Sequence, residues 1–514
     1  DLSNYKLLIL PHNPRLTAAE INTLQRYTRA GGKLLHFYNL PAKLAPVLGI
    51  EQFTFREAGA NRPFHTIHPA GKLIGELPGD VFQGSWAAHV PTALAADTQI
   101  IGQWHDAAGR PTAHPAIVEA PRSIFVGHVM LPTDIPAKRR LLVELIGRRL
   151  PQRLPAMRGT LAKHNADLEA SASQTSAVPM TLRGVWLDLR DPIPDKSWQA
   201  AIERMADAGL TDVFVLVATG GLAQFPSEHL PVAEGIDDEH NPLAEIVAAA
   251  KPRGLKVHAW KVNWNAHDAP QEFLDTMRSN GRLQVDIHGK VHNWLSPAHW
   301  SNFQLEQNVM LELVRHYDLS GIHFDFIRYP NSHYDFSPVA RQRFEEHIKR
   351  PVANWPADVR TGPLAAQFLE WRQWQVTRLV RETAKKARQI KPGIQVSAAV
   401  FPHYPKTKET IGQNWLDWAQ RGYVDFVVPM NYTRSESQFA KWTGSHVRYA
   451  AGTKVPIYPG IGATVRDWQS PLETARQIRI ARELGAEGYV LFHYDHTLAE
   501  WHLPLLRMGA NRLP

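Results

Sequence analysis

The chain of 514 residues is long enough for two or three domains, and with 44% hydrophobic and 21% charged residues it is too apolar to be disordered. Cysteine is absent, which excludes disulfides, thiol nucleophiles, thiolate zinc sites and iron–sulfur clusters at once. The formal charge of +8 is small for this length, and no stretch of about 18 apolar residues occurs that could span a bilayer as a helix.

The chain opens at Asp1 rather than a methionine. An upstream segment is therefore expected, and any export signal would lie in it. The apolar run Leu7, Leu8, Ile9 and Leu10 stops at Pro11 and predicts a buried strand. Thr17-Ala-Ala-Glu20 is a capping box, opening a helix that runs to Gly31-Gly32. Leu34 to Phe37 predict a second strand and Ile124 to Gly127 another, followed by a helix over about 136–149. This alternation predicts a small α/β layer with a parallel sheet, which strands ahead of Asp1 are expected to complete. The densest basic cluster is Lys138, Arg139, Arg140, Arg148 and Arg149. It decorates that last helix and reads as a solvated face rather than a nucleic-acid patch, so no nucleic-acid partner is expected.

Residues 151–180 change character. Pro151, Pro155, Ser171, Ser173, Ser176 and Pro179 mark a polar connecting stretch, with a short helix expected over 162–170. The expected organisation is an α/β domain over 1–150, a linker over 151–180 and a larger domain over 181–514.

From Arg183 onward, apolar runs suited to buried parallel strands recur at 184–189, 212–218, 256–262, 321–327, 394–400, 425–430, 455–460 and 488–493. Amphipathic stretches lie between them, for example 198–208, 243–251, 306–316, 367–390 and 471–484. Eight such units predict a (β/α)8 barrel, with a doubly wound sheet as the alternative.

A barrel of this kind carries its chemistry at the C-terminal ends of its strands. In chain order these ends deliver Asp188, Arg190 and Asp191; Thr219, Gly220, Gly221 and Phe225; Trp260, Asn263 and Trp264; Asp325, Arg328 and Tyr329; Phe401, His403 and Tyr404; Asn431, Tyr432 and Arg434; Tyr458 and Gly462; His493, Asp495 and His496. Aromatic faces that can stack on sugar rings are thus mixed with groups that can bind hydroxyls. Thr219-Gly220-Gly221 lacks the context of a phosphate loop. His493-x-Asp495-His496 could hold a metal, but the first strand offers no histidine to join it, so sugar contacts are preferred and no metal or cofactor is expected. Trp415, Trp418 and Trp442 read as helix packing.

Asp325 stands out, because a carboxyl at the mouth of the fourth strand can attack an anomeric carbon or protonate a leaving oxygen. Arg328 would favour its ionised form if close. The plainer alternative is that Asp325 and Arg328 pair to fix the loop.

Gly321-Ile-His-Phe-Asp325-Phe-Ile-Arg328-Tyr329-Pro330 resembles the signature of the family-10-like glycosyl hydrolases, a bacterial glycosyl-hydrolase-like group. Arg183-Gly184-Val185-Trp186, the run from Leu216 to Gly221 leading to Phe225-Pro226-Ser227, Trp294-Leu295-Ser296-Pro297 and Pro429-Met430-Asn431-Tyr432-Thr433 match in family order. The resemblance implies a (β/α)8 barrel that hydrolyses glycosidic bonds, with relatives acting on cell-wall glycan or secreted polysaccharide, and hence an exported protein. It departs in one respect: many members carry two adjacent carboxylates in the fourth-strand motif, whereas Phe326 follows Asp325 here. A second carboxylate must come from elsewhere, and Asp495, Glu436, Asp188 and Asp191 are the candidates. Asp188 has the alternative of pointing between barrel and helices. A carboxyl separation of about 5–5.5 Å would give retention, and about 6.5–9.5 Å inversion.

Tyr5-Lys-Leu-Leu-Ile-Leu-Pro11 and Ala30-Gly31-Gly32-Lys33-Leu34-Leu35 resemble the flavodoxin-like domain of class I glutamine-amidotransferase relatives. Active members use a cysteine, so a non-catalytic role is expected for 1–150. The leading expectation is an endo-acting hydrolase of a bacterial polysaccharide. Asp325 is central in it, and Trp260, Arg328, Tyr329, Asn431, Tyr432 and His493 line the cleft, with Asn263, His403 and Asp188 as further sugar contacts. A non-catalytic carbohydrate-binding protein on a decayed barrel is the second expectation, and a metal-dependent deacetylase or amidohydrolase using the eighth-strand histidines the third.

Overall fold

The computed structural model describes every residue except 1, 14, 60, 74–76, 78, 175–179, 196, 466–468 and 513–514, together with the side chain of residue 72. Ser176 and Pro179 of the expected linker lie outside the described residues. The chain divides into two compact units, Asp1–Ser171 and Ala172–Pro514. Among the described residues no helix is long and apolar enough to cross a membrane.

In the first unit, Leu7–Leu10, Lys33–Phe37 and Ser123–Val126 pair in parallel, in that order. The helix Ala18–Arg29 starts at the Thr17/Glu20 capping box. The sheet is not parallel throughout. Beyond Ser123–Val126 it continues antiparallel through Pro111–Ala120, Gln99–His105, Thr66–Pro69 and Val81–Phe82. Short alternating strands joined by tight turns such as Asp106-Ala-Ala-Gly109 explain this extension. Most of the segment read as a linker is helical, over Leu154–Gln174.

The solvated-face reading of the basic cluster is corrected. Lys138 is buried, and its ammonium donates to the Leu131 carbonyl and Thr133 hydroxyl. Burial pulls its pKa down to about 7. Arg148 and Arg149 both grip Glu119, and Arg149 also donates to the Ala120 carbonyl. Helix Ile135–Arg149 turns part of this cluster inward, where the cations tie it to the sheet.

The second unit is an eight-stranded parallel barrel. Its strands are β1 (Leu182–Asp188), β2 (Asp212–Thr219), β3 (Lys256–Val262), β4 (Gly321–Asp325), β5 (Gln395–Val400), β6 (Phe426–Pro429), β7 (Gly460–Ile461) and β8 (Gly488–Leu491). The hydrogen-bonded order is β6-β5-β4-β3-β2-β1-β8-β7. Two isolated parallel bridges, Val427 to Ile457 and Met430 to Gly460, join β6 to β7 and close the ring. The helices that follow the strands in turn are α1 (Trp198–Asp207), α2 (Pro242–Ala250), α3 (Trp300–His316), α4 (Ala365–Ile390), α5 (Trp415–Gln420), α6 (Glu436–Ala450), α7 (Pro471–Glu483) and α8 (Leu503–Met508), with Gln271–Ser279, Pro338–Ile348, Ala357–Arg360 and Lys406–Ile411 as further helices in the connections. Helix α7 shows why they begin where they do: Ser470 and Glu473 form a capping box, with Pro471 in the first turn.

The strands are buried on both faces, and alternation sorts their side chains. Val185 and Leu187 of β1, and Ile322 and Phe324 of β4, pack outward against the helices. Trp186, Phe214, Leu216, Trp260, Phe426 and Val428 fill the interior. On the same parity Asp188 belongs with Trp186, on the inner side of β1, and Asp325 follows His323 up the inner side of β4.

Candidate active site

Asp325 ends β4 with only 5% of its surface exposed. The Trp260 indole donates to Oδ2 at 3.0 Å, and the Phe326 amide donates to Oδ1 at 2.7 Å. Burial pushes the carboxyl pKa up; these two hydrogen bonds and the more distant Arg328 charge pull the other way without cancelling it. Tyr432 packs nearby, its ring 6.2 Å from Trp186 and 5.2 Å from Phe492. Burial first, then the Asp325 charge, hold the Tyr432 hydroxyl well above the ordinary tyrosine range. That hydroxyl finds no hydrogen-bond partner among the described residues.

Arg328 does not pair with Asp325 among the described residues. Its guanidinium lies 4.5 Å from the centroids of both Phe326 and Phe401, and donates to the Tyr329 carbonyl at 3.1 Å. Phe326 in turn stacks on Trp294, centroids 5.8 Å apart. The backbone at Phe326 is left-handed (φ 48°), which swings this ring out of the strand line and into the stack. Phe326, the residue after Asp325, thus supports an aromatic–guanidinium shelf.

The opposite side of the mouth is polar. His493, just past β8, shares a 2.9 Å hydrogen bond between its Nε2 and Asp191 Oδ2. Burial pulls the imidazole pKa down, but Asp191, Asp495 and Asp188 together outweigh burial and leave it raised. Asp495 accepts from the Leu498 amide at 2.8 Å and caps the turn that follows. Burial raises its pKa, and His493 opposes the rise. Asp188 holds Arg190 in a two-pronged pair at 3.0 and 2.7 Å. In an eight-strand ring β4 and β8 lie four places apart, so Asp325 and this cluster face each other across the mouth. Aromatic rings join the two sides: Trp260 lies 6.3 Å from Phe492, which is 4.8 Å from His493.

Several expected contacts are committed elsewhere. Asn263 donates to Glu306 at 2.7 Å, and Glu306 also holds the buried Lys261 ammonium and the Trp264 amide. Asn431 donates to Thr443 of α6 at 3.0 Å. Tyr329 is packed outward under Arg372, 4.2 Å from its ring centroid. Glu436 sits in the first turn of α6, its side chain 44% exposed and paired with Arg476 of α7 at 2.5 Å. His403 lies edge-on to Trp442, centroids 5.2 Å apart. Trp415 and Trp418 are fully buried, and the Trp418 indole donates to Thr377 of α4.

Trp186, Phe492 and Trp294 also build the mouth; the motifs quoted above contain Trp186 and Trp294 without marking them as site residues, and Phe492 is in none of them. Alternation along β1 and β8 carried a signal for the first two. Trp294 arrives on the hairpin Leu283–Val285/Val291–Leu295, whose reach toward Phe326 no local pattern announces.

The family model for glycosyl hydrolase-like 10 matches residues 181–472, more than half of the chain. Glycosyl hydrolase DigH of Escherichia coli (strain K12) is 23% identical over 350 residues, covering 57% of this chain and 74% of the relative. Glycosyl hydrolase YngK of Bacillus subtilis (strain 168) is 23% identical over 321 residues, covering 54% of this chain and 58% of the relative. Among solved structures, the PgaB (BpsB) glycoside hydrolase domain from Bordetella bronchiseptica superposes with a TM-score of 0.53 at 18% identity, over 64% of this chain and 99% of that one.

Proposed function

The chain belongs to the glycosyl hydrolase-like 10 family, and from that premise we propose that its barrel cleaves internal glycosidic bonds of a bacterial polysaccharide, with Asp325 as the proton donor. The observation that carries this reading is the Asp325 carboxyl, buried at the end of β4 beneath the Trp260 indole and beside Tyr432, with its pKa raised by burial. A carboxyl kept protonated in an apolar pocket is what a leaving glycosidic oxygen needs.

The β8 side supplies the complementary half. Asp495, beside His493 and Asp191, is our assignment for the second carboxylate, while Glu436 is held by Arg476. In the reaction Asp325 gives its proton to the departing oxygen as the bond to the anomeric carbon breaks. Charge then develops on the ring, between the aromatic wall and the acidic cluster. If a water attacks directly, Asp495 takes its proton; if Asp495 itself attacks, water later displaces it and Asp325 takes that proton. The anomeric configuration of the first product, read by proton NMR, separates the two.

A polysaccharide of the envelope lies outside the cytoplasm, so the reading includes export, which cell fractionation tests. For the three parallel strands of the first unit we keep the flavodoxin-like assignment, in a non-catalytic role. One feature favours a second reading, a binding protein: Phe326 occupies the position after Asp325. The deciding experiment incubates wild type and Asp325→Asn with peptide-free peptidoglycan strands and poly-N-acetylglucosamine and reads product masses. Fragments from wild type alone support the hydrolase. Equal fragments from both remove Asp325 from the mechanism. Binding by both without fragments supports the second reading.

A further inference from the structure

In the first unit, strand Thr66–Pro69 lies between Val81–Phe82 and Gln99–His105, antiparallel to each. Ile67 pairs with Val81 on one side and Trp104 on the other, and all three are buried in the core. His68 is the next residue along the central strand, so it stands on the opposite, outer face. Asp80 immediately precedes Val81, which brings it level with His68. His105 pairs with Thr66, one pleat away on the far neighbour, and shares the same face. Three adjacent strands therefore present His68, Asp80 and His105 side by side.

Their ligating atoms all lie within 4.8 Å of one another. His68 Nδ1 is 2.5 Å from Asp80 Oδ1, and His105 Nδ1 is 4.0 Å from Asp80 Oδ2. The two imidazoles lie parallel, centroids 4.6 Å apart and 9° between planes. A simple His–Asp hydrogen bond accounts for His68 and Asp80. It leaves His105 facing the second carboxylate oxygen at a separation too long for a hydrogen bond. We infer that His68, Asp80 and His105 form a binding site for one divalent transition-metal ion, of which Zn2+ is the test case.

Two imidazoles and a carboxylate suit zinc, nickel or copper, and are a poor match for magnesium or calcium, which take oxygen ligands. With metal–ligand bonds of about 2.0–2.2 Å, tetrahedral ligand atoms settle about 3.3 Å apart. The 2.5 and 4.0 Å separations straddle that value, so small side-chain rotations on fixed strands complete the site. Three protein ligands leave a fourth position for water or an external ligand. The ion would pin three strands together, and a ligand held only by the folded state raises stability by mass action.

The test titrates ZnCl2, and separately MgCl2, into the chelator-treated full chain by calorimetry, for wild type, His68→Ala, Asp80→Asn and His105→Ala. One Zn2+ per wild-type chain is expected, with affinity reduced on the order of 100-fold in each variant and no Mg2+ binding at the site. Zn2+ should raise the Tm of wild type alone. The His68 side chain is 49% exposed, so its variant should keep the metal-free Tm and separates ligand loss from misfolding. Absence of Zn2+ binding by wild type, or equal binding by wild type and the variants, overturns the site.

Discussion

Burial raises the pKa of Asp325 and of Asp495 alike, but the two sides of the barrel mouth give them different company. On the β4 side Asp325 is walled by Trp260, Tyr432 and Phe326, and its environment resists ionisation. On the β8 side Asp191, Asp495 and Asp188 surround His493, and their charges favour imidazolium despite burial. On one side the company is aromatic, while the other gathers carboxylates around an imidazole. The roles proposed for Asp325 and Asp495 rest on this difference in neighbours, since the residue type is the same on both sides.

The largest break in the contrast comes from removing the acid. Asp325→Asn should lower kcat by about 10²–10⁴-fold with little change in KM, measured on a soluble oligosaccharide. Asp495→Asn should cost less, on the order of 10²-fold, because Asp191 and His493 remain beside it. An Asp495→Asn variant as active as wild type would move the second carboxylate elsewhere.

Trp260→Phe sharpens the β4 side. The indole donates to Asp325 and so favours its ionised form; without it the carboxyl pKa rises further. Activity that needs protonated Asp325 is lost as pH rises through that pKa. The alkaline limb of the pH–rate profile should therefore move to higher pH in this variant.

The smallest effect is on the β8 side. Asp191→Asn removes a charge that raises the His493 pKa, so that pKa, followed by NMR, should fall. A histidine with a raised folded pKa stabilises the fold below its unfolded pKa, and loses that contribution as pH rises through the folded value. The Tm deficit of Asp191→Asn should accordingly be larger at pH 5 than at pH 9.

The barrel was legible because eight buried strands repeat one pattern, and alternation places Asp325 on the inner face of β4. Partnership was harder to read. Asn263, Asn431 and Tyr329 lie at strand ends yet serve the layer between strands and helices, and whether such a residue turns in or out depends on partners such as Glu306, Thr443 and Arg372 brought from far along the chain. Arg149 is obscured in the same way, since Glu119 and Ala120 lie on another segment, whereas Lys138 folds back onto Leu131 and Thr133 just ahead of its own helix. The His68, Asp80 and His105 trio left no trace in sequence, because its spacing is set by strand register and by no local motif.

The ring is closed unevenly. Between β6 and β7 the seam rests on the Val427 to Ile457 and Met430 to Gly460 bridges, with Tyr458 donating to the Val427 carbonyl at 3.1 Å and Asn431 to the Gly460 carbonyl at 3.1 Å. Continuous ladders join the other neighbours from β6 round to β8. Local opening follows the sparsest hydrogen bonding, so amide exchange is expected to be fastest along the edges of β7, which is held by two ladder pairs to β8 and by these bridges to β6. Tyr432 follows Asn431 at this seam, whereas Trp260 and Asp325 belong to the β3–β4 ladder, so the aromatic wall around this carboxyl hangs partly from the sparsest pairing in the ring and partly from a full ladder.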